Sequence, residues 1–419
     1  MKRRNFVKTT AAGSAFLFTS GTFAFSSSLS KRKNTVATDT GGSAAAQQVN
    51  DGQHKSSGAY EDMPKVIVKP APDLSFPSHI DSNSPAHWDG GLLYLFMSRG
   101  DILPKRASGP DLFNLSNVIE STIDNDDKFH NGREGARWIE ATHKDESGTL
   151  YGWYHNEPRG CCSQLKPSGL TVPRIGAIVS KDNGKTWSDL GYILLSPPGS
   201  EDCSTPNGYF AGGNGDFSVL LDAKKEYFYF FFSNYWGSVE QQGVAVARMK
   251  YADRGVPADK VFKWHQGAWK EPGKGLMAGA WGDDDEKEWH QGAWKELGKG
   301  GRMTPIFPAR SSWHGSKPDV FWGPSVHWNT HLKSYVILMN RTLKSNWEQE
   351  GIYVTFNYDI SDPTGWSKPQ QILKGGKWYP QIIGTGAGET DKQAGRKARL
   401  FVNGKSNLEI IFLAPGEIE

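Results

Sequence analysis

Three carboxylic side chains stand in or beside short strand-like runs in the middle of this chain. They are Glu140 in RWIEATHK, Asp216 in GDFSVLLD and Glu157 in GWYHNEP, where His155 precedes it by two residues. A pair of carboxyls in different protonation states can cut a glycosidic bond. One gives a proton to the leaving oxygen while the other acts as base or nucleophile. The same residue types also cap turns, since an Asp at a strand start bonds nearby backbone N–H groups. Which role applies depends on whether the runs that carry them converge.

Those runs belong to a cadence that returns five times: a small or polar opener, an alternating apolar stretch, a polar turn and an aromatic-rich stretch. The copies span Ser84 to Met97, Arg137 to His155, Gly215 to Phe232, Gly323 to Asn340 and Ala398 to Leu413. Each pairs two strand-like runs across a turn of Gly, Asp, Asn or Lys, which is a hairpin signal. A lone hairpin is marginal, so repeated hairpins must pack on one another. The expected fold is all-β, a five-bladed β-propeller with four-stranded antiparallel blades around a central channel. Further runs supply the additional strands: RIGAIVS and YILL in blade two, GVAVARM in blade three, GIYVTF in blade four and WYPQIIG opening blade five. Val66 to Pro72 reads as an extended lead-in to blade one.

Composition agrees with this. The 419 residues include 16 Trp, 14 Tyr, 21 Phe, 48 Gly and 23 Pro, the inventory of many short strands and tight turns. No internal apolar run is long enough to span a bilayer. The formal charge of +3 is uneven, because residues 1–33 hold seven basic side chains and no acid; subtracting them leaves −4 for the remainder. The body has no basic stripe, so nucleic acid is not an expected partner. Residues 1–33 are expected to be an export signal, since Arg3-Arg4-Asn5-Phe6-Val7-Lys8 resembles the twin-arginine motif and a weakly apolar stretch follows it. That implies the twin-arginine machinery as a partner and a periplasmic or extracellular destination. Residues 34–65 read as a flexible tether and 66–419 as a single propeller domain.

An oxidising destination favours disulfides. Of Cys161, Cys162 and Cys203, the expected arrangement is one bridge from Cys203 to Cys162 or its neighbour, clamping two long loops. Between blades three and four, HQGAWKEPGKG (His265 to Gly275) recurs as HQGAWKELGKG (His290 to Gly300). It reads as a duplicated Trp-rich insertion at about 262–301, either a flap that stacks on sugar rings or a tolerated loop.

Ser180-Lys181-Asp182-Asn183-Gly184-Lys185-Thr186-Trp187 has the pattern S-x-D-x-G-x-T-W. Gly184 permits positive φ, Asp182 bonds the turn's own backbone and Trp187 tucks into the blade. The motif resembles the Asp box of sialidase and related glycosidase propellers, where it is structural. The strand openers NSPAHW, GDFSVLLD and GPSVHWN are similar to those of the five-bladed arabinanase/xylosidase and invertase/levanase groups, and residues 77–413 fit that plan. The whole chain also resembles a set of exported bacterial propellers.

The resemblance implies that the first strand of each blade lines the channel and that its opening residues face a saccharide. It nominates Asp81 or Asn83, Arg137, Glu140, Asn214, Asp216, Trp322, Tyr379 and Gln381, with His155 and Glu157 at the pocket edge. Glu140, Asp216 and Glu157 are the candidate catalytic carboxyls. Asn83, Arg137, His155, Asn214, Trp322, His327, Arg341, Tyr379 and Gln381 are candidate ligand contacts. Asp182, Gly184, Trp187, Cys162 and Cys203 are structural. Two positions depart from the family pattern, for Ser84 and Trp322 stand where it carries carboxylates. The expected function is that of an exported glycoside hydrolase acting on oligo- or polysaccharide. The alternatives are a non-catalytic glycan-binding or structural propeller and, further off, a sialidase built on Arg137, Arg341 and Arg399. No metal or cofactor is expected; calcium on channel carboxylates is conceivable, but no loop has EF-hand spacing.

Overall fold

The computed structural model describes residues 63–125, 135–158, 162, 170–197, 199–274 and 301–419. The export signal and most of the tether lie outside them. Strand β1 (Lys65–Ser75) comes first in the chain, and blade one is made of β2 (Ala86–Asp89), β3 (Leu92–Arg99), β4 (Ile102–Gly109) and β5 (Ile119–Glu120). Blade two contains β6 (Thr122–Ile123), β7 (Arg137–Lys144), β8 (Leu150–Asn156), β9 (Arg174–Ser180) and β10 (Thr186–Leu194). Blade three contains β11 (Asn214–Leu221), β12 (Tyr227–Asn234), β13 (Gly243–Lys250), β14 (Val261–His265), β15 (Ala268–Pro272) and β16 (Phe307–Pro308). Blade four contains β17 (Val320–Asn329), β18 (Ser334–Thr342), β19 (Gln349–Asn357) and β20 (Gln370–Lys374). Then follow β21 (Pro380–Gly384), β22 (Gln393–Ala394), β23 (Lys397–Val402) and β24 (Lys405–Leu413); β22 joins blade four and the other three form blade five. The chain is thus a five-bladed β-propeller.

The blades need one another because their strands are apolar on both faces. In β12, Phe228, Phe230 and Phe232 pack with Trp153 and Ile175 of blade two, while Tyr229 and Phe231 pack with Val326, Ile337 and Met339 of blade four. Alternation along a strand sends successive side chains to opposite faces, so YFYFFF serves two neighbours at once. Comparable clusters join blade four to five, five to one and one to two. Full burial of each such aromatic contributes about 1.5–3 kcal/mol.

Several expectations are corrected here. Residues 66–72 are not a lead-in: β1 pairs antiparallel with β24, from Lys65 opposite Leu413 to Ser75 opposite Lys405, and is the fourth strand of blade five. An early segment thereby closes the ring on a late one. In the fifth cadence β23 and β24 are the second and third strands, and β21 is innermost. The blades hold four to six strands, and two short ones, β6 on β10 and β22 on β17, pair in parallel. The first Trp-rich copy is no flap, because Val261–His265 and Ala268–Pro272 form a hairpin that extends blade three. Trp264 and Trp269 pack there against the cluster shared with blade four. The second copy lies outside the described residues.

The turn at 180–187 joins β9 to β10. Asp182 Oδ1 accepts the Thr186 N–H at 2.9 Å, Ser180 Oγ accepts the Gly184 N–H at 2.8 Å, and Gly184 has φ +78°. Trp187 is buried with its Nε1 donating to Ser121 Oγ at 2.9 Å. Cys162 is bonded to Cys203.

Candidate functional site

The inner strands β7, β11 and β17 share an irregularity. Pairing slips between Ile139 and Ala141, between Gly215 and Phe217, and between Trp322 and Ser325. A β-bulge leaves extra residues outside the ladder and re-aims side chains. Here the extra residues are Glu140, Asp216 and the pair Gly323-Pro324. Asp216 has φ +40°, a region that costs a non-glycine residue about 1–3 kcal/mol. Asn83 of the segment before β2 ties two of the bulges together, its Nδ2 donating to Phe217 O at 2.9 Å and Pro324 O at 3.1 Å.

The bulges bring two carboxyls onto one imidazole. His155 Nδ1 lies 3.3 Å from Glu140 Oε1 and 4.0 Å from Asp216 Oδ1, and Nε2 lies 3.3 Å from Glu157 Oε1. The Phe217 N–H donates to Glu140 Oε2 at 2.7 Å, and the Tyr235 hydroxyl donates to Asp216 Oδ2. Glu140, His155 and Asp216 are buried, whereas the Glu157 side chain keeps 26% exposure. Asp81 stands in the same field, for Glu157, His155 and Glu140 all act on its charge.

Burial dominates the electrostatics. It raises the Glu140 carboxyl above its ordinary range and lifts Asp216 to about 7. Burial, helped by the charge of Glu157, lifts Asp81 to about 7 as well. For His155 burial acts downward, but the nearby carboxylates Glu140 and Glu157 and the charge of Asp216 outweigh it and hold the ring well above its ordinary value. The Asp216 N–H meets Nδ1 at 3.1 Å, which places the ring's first proton on Nε2, toward Glu157. A second proton on Nδ1 would face Glu140 and compete with that N–H. The group as a whole is built to hold protons near neutral pH.

Beside the acids stands an aromatic wall. Phe210, Tyr235, Trp313, Trp322, Trp347 and Tyr379 are buried together, with Trp378 partly exposed against them. Trp313 and Trp347 rings lie 4.1 Å apart, edge to face. Tyr235 joins the halves, its hydroxyl on Asp216 and its ring 4.6 Å from Phe210. Tyr209 projects from this wall, 43% exposed, 5.8 Å from Trp378 and within reach of the charges of Asp81 and Glu157.

The predicted residues divide sharply. Glu140, Asp216, Glu157 and His155 come together, and Tyr379 joins the wall. The other proposed ligand contacts are corrected to structural roles because their polar atoms are occupied or sealed. Arg137 is buried against Asp189 at 3.0 Å and donates to Asp124 O at 2.7 Å. Asn214 is bonded to Asn234 and to Lys263 Nζ. Gln381 pairs with both backbone atoms of Ser84, at 2.7 and 2.9 Å. Asn83 is the buried tie already described. Trp322 is core, donating to Gln349 Oε1 at 3.0 Å. His327 is buried beside Phe412, its pKa lowered to about 3 by desolvation. Arg341 is held by both oxygens of Asp319 at 2.8 Å. Arg399 bonds Pro72 O and Ser406, so the three arginines of the sialidase reading stay in separate blades with separate partners.

Sequence reasoning missed Tyr209, Phe210, Tyr235, Trp347 and Trp378. Their only signal was the aromatic richness of the loops, and nothing in the sequence orders those loops around the channel. Glu140, His155 and Asp216 each offer one ligand atom, all within 4.8 Å of one another, a spacing a cation could bridge. Backbone N–H groups already occupy Glu140 Oε2 and His155 Nδ1.

No family model and no curated protein matches this chain. Among solved structures, the backbone is similar to that of an endo-arabinase from Bacteroides thetaiotaomicron, at 11% identity and a TM-score of 0.46, covering 84% of this chain and 98% of that one. It is also similar to a thermostable family-43 glycoside hydrolase (11%, TM-score 0.45, 82% and 96%). An arabinanase from Bacillus subtilis gives 12% identity and a TM-score of 0.44, over 80% and 95%. Likeness at this level concerns the course of the backbone alone.

Proposed function

We propose that this protein is a carbohydrate-active propeller, a glycoside hydrolase acting on oligo- or polysaccharide with Asp81 and Glu157 as its working carboxyls. The supporting observation is their setting. Glu157 lies 3.3 Å from His155 of the buried group, and Asp81 and the half-exposed Tyr209 stand within the field of the same charges. Asp81, raised to about 7, can carry the proton that a leaving sugar oxygen needs. Glu157, within reach of the His155 proton, is suited to be base or nucleophile. Glu140 and Asp216 are too deeply buried to touch a glycosidic oxygen, so their part is to hold the His155 ring that faces Glu157. Tyr209 and Trp378 offer faces on which a sugar ring can stack.

Burial of the Glu140–Asp216 pair also supports a second reading, a glycan-binding propeller without turnover. A polysaccharide panel separates the two. Release of reducing ends by the parent, abolished by Asp81→Asn and by Glu157→Gln, supports hydrolysis; unchanged rates in both variants sink the assignment. Binding without release in every protein establishes the second reading. We further propose export by the twin-arginine route to the periplasm or beyond, a reading the Cys162–Cys203 bond supports because such bonds persist in oxidising compartments. Fractionation of cells expressing Arg3→Lys/Arg4→Lys tests it, with the protein expected to remain in the cytoplasm.

A further inference from the structure

The loop between blades two and three carries Tyr209 and Phe210, and its ties converge on one short segment. The Cys162–Cys203 bond joins positions 41 residues apart. Leu170, Val172 and Ala211 are buried beside it, with Cys203 packed against them. Between the two apolar residues, Thr171 forms a parallel bridge with Phe210. The Thr171 N–H donates to Tyr209 O at 2.8 Å, and Thr171 O accepts the Ala211 N–H at 2.9 Å. The hydroxyl of the same threonine donates to Glu157 Oε2 at 3.4 Å. Across the loop, Asn207 Oδ1 accepts the N–H groups of Tyr209 and Phe210, and Trp347 Nε1 donates to Asn207 O at 3.0 Å.

We propose that the Cys162–Cys203 bond is a positioning device for the saccharide site. By clamping residues 170–172 against 209–211, it sets both the Tyr209 face and one oxygen of Glu157. The five clusters between blades contain neither cysteine, so the ring stands without the bond while the site does not. The aromatic wall anchors Phe210 at one end of the loop, so cutting the cross-link is expected to loosen the loop locally and leave the blades intact. This inference rests on the reading of Tyr209 and Glu157 as saccharide-contacting groups.

The test uses the full oxidised chain, the same protein treated with tris(2-carboxyethyl)phosphine, and Cys203→Ser. The phosphine attacks one sulfur and supplies the electron pair that splits the S–S bond; water then gives its oxygen to the phosphine oxide and its two hydrogens to the thiols. Amide exchange at Thr171 and Ala211 is expected to quicken about tenfold or more after reduction, while Phe230 and Ile337 in the blades stay protected. On a polysaccharide that the parent cleaves or binds, KM or Kd is expected to rise about fivefold or more, with kcat falling less. Unchanged exchange at Thr171 and Ala211 in both reduced forms overturns the clamp whatever the ligand. Faster exchange with unchanged KM overturns its role at the site. A parent that takes no saccharide defeats the functional reading instead, and exchange still decides the clamp. If Cys203→Ser does not fold, the phosphine-treated native protein supplies the answer.

Discussion

The two sides of the channel mouth are made in opposite ways. On the side of blades one to three, charge is gathered: Glu140, Asp216 and Glu157 face one imidazole and Asp81 stands near. Two bulges and a positive φ at Asp216 are needed to bring those groups together. On the side of blades four and five, indole and phenol rings are packed edge to face around Trp347, and the polar atoms of Trp322, Trp347 and Trp378 are satisfied within the wall. Like charges in a low dielectric repel, so the polar side holds together only by sharing protons and accepting backbone N–H groups. The aromatic side gains free energy from every contact. A site with reactive groups on one side therefore leans on a dry, rigid wall on the other, with Tyr235 belonging to both.

That contrast can be broken at either end. The largest effect is expected on the polar side: Glu157→Gln and Asp81→Asn should each lower kcat about 10²–10⁴-fold. Glu157→Gln should leave thermal unfolding almost unmoved, and Asp81→Asn should not lower Tm; a large fall in Tm with kcat intact would make these acids structural. Trp347→Ala should do the reverse, destabilising the fold by about 3–5 kcal/mol in urea titrations because it opens a cavity among Trp313, Trp322 and Trp378. A loss below 1 kcal/mol would mean the wall is not a packed unit.

The third prediction concerns pH. Asp216 binds its proton more tightly folded (about 7) than at its ordinary 3.8, so its contribution to stability is full below pH 3.8 and is lost as pH rises through about 7. Asp81 behaves alike. Parent Tm should therefore fall between pH 5 and 8, and Asp216→Asn should flatten that slope by several degrees. An equally steep slope in the variant would show that Asp216 is ionised throughout. The smallest effect is expected at Tyr209→Ala, a KM rise of about three- to tenfold with kcat nearly constant, as loss of one stacking face implies. An unchanged KM would move the ligand away from the aromatic wall.

Much of this could be read beforehand where the pattern was local. YFYFFF announced the aromatic-rich second strand of a hairpin, and Ser180 to Trp187 announced its own turn. Glu140, Asp216, His155 and Glu157 were legible as candidates because each sits in or beside such a strand. The neighbours of Arg137, Asn214, Gln381 and Trp322 were not, since their partners lie in other strands or loops and no spacing along the chain encodes them. Tyr209 and Trp347 belong to loops whose course is set by a disulfide and by packing across blades.

Composition and period-two alternation by themselves determined the repeat, its five copies and the all-β ring, because each strand's two apolar faces must be covered by a neighbour of the same kind. Tertiary structure alone decided that β1 closes the ring on β24, and that bulges turn Glu140 and Asp216 onto one histidine. It also gave most of the nominated polar residues protein partners, Arg137, Asn214 and Arg341 within their own blades and Asn83 and Gln381 across blades. The physical reason is range. Alternation is a property of neighbours in sequence, whereas charge coupling, bulge placement and ring closure depend on groups that only the closed fold brings within a few ångströms.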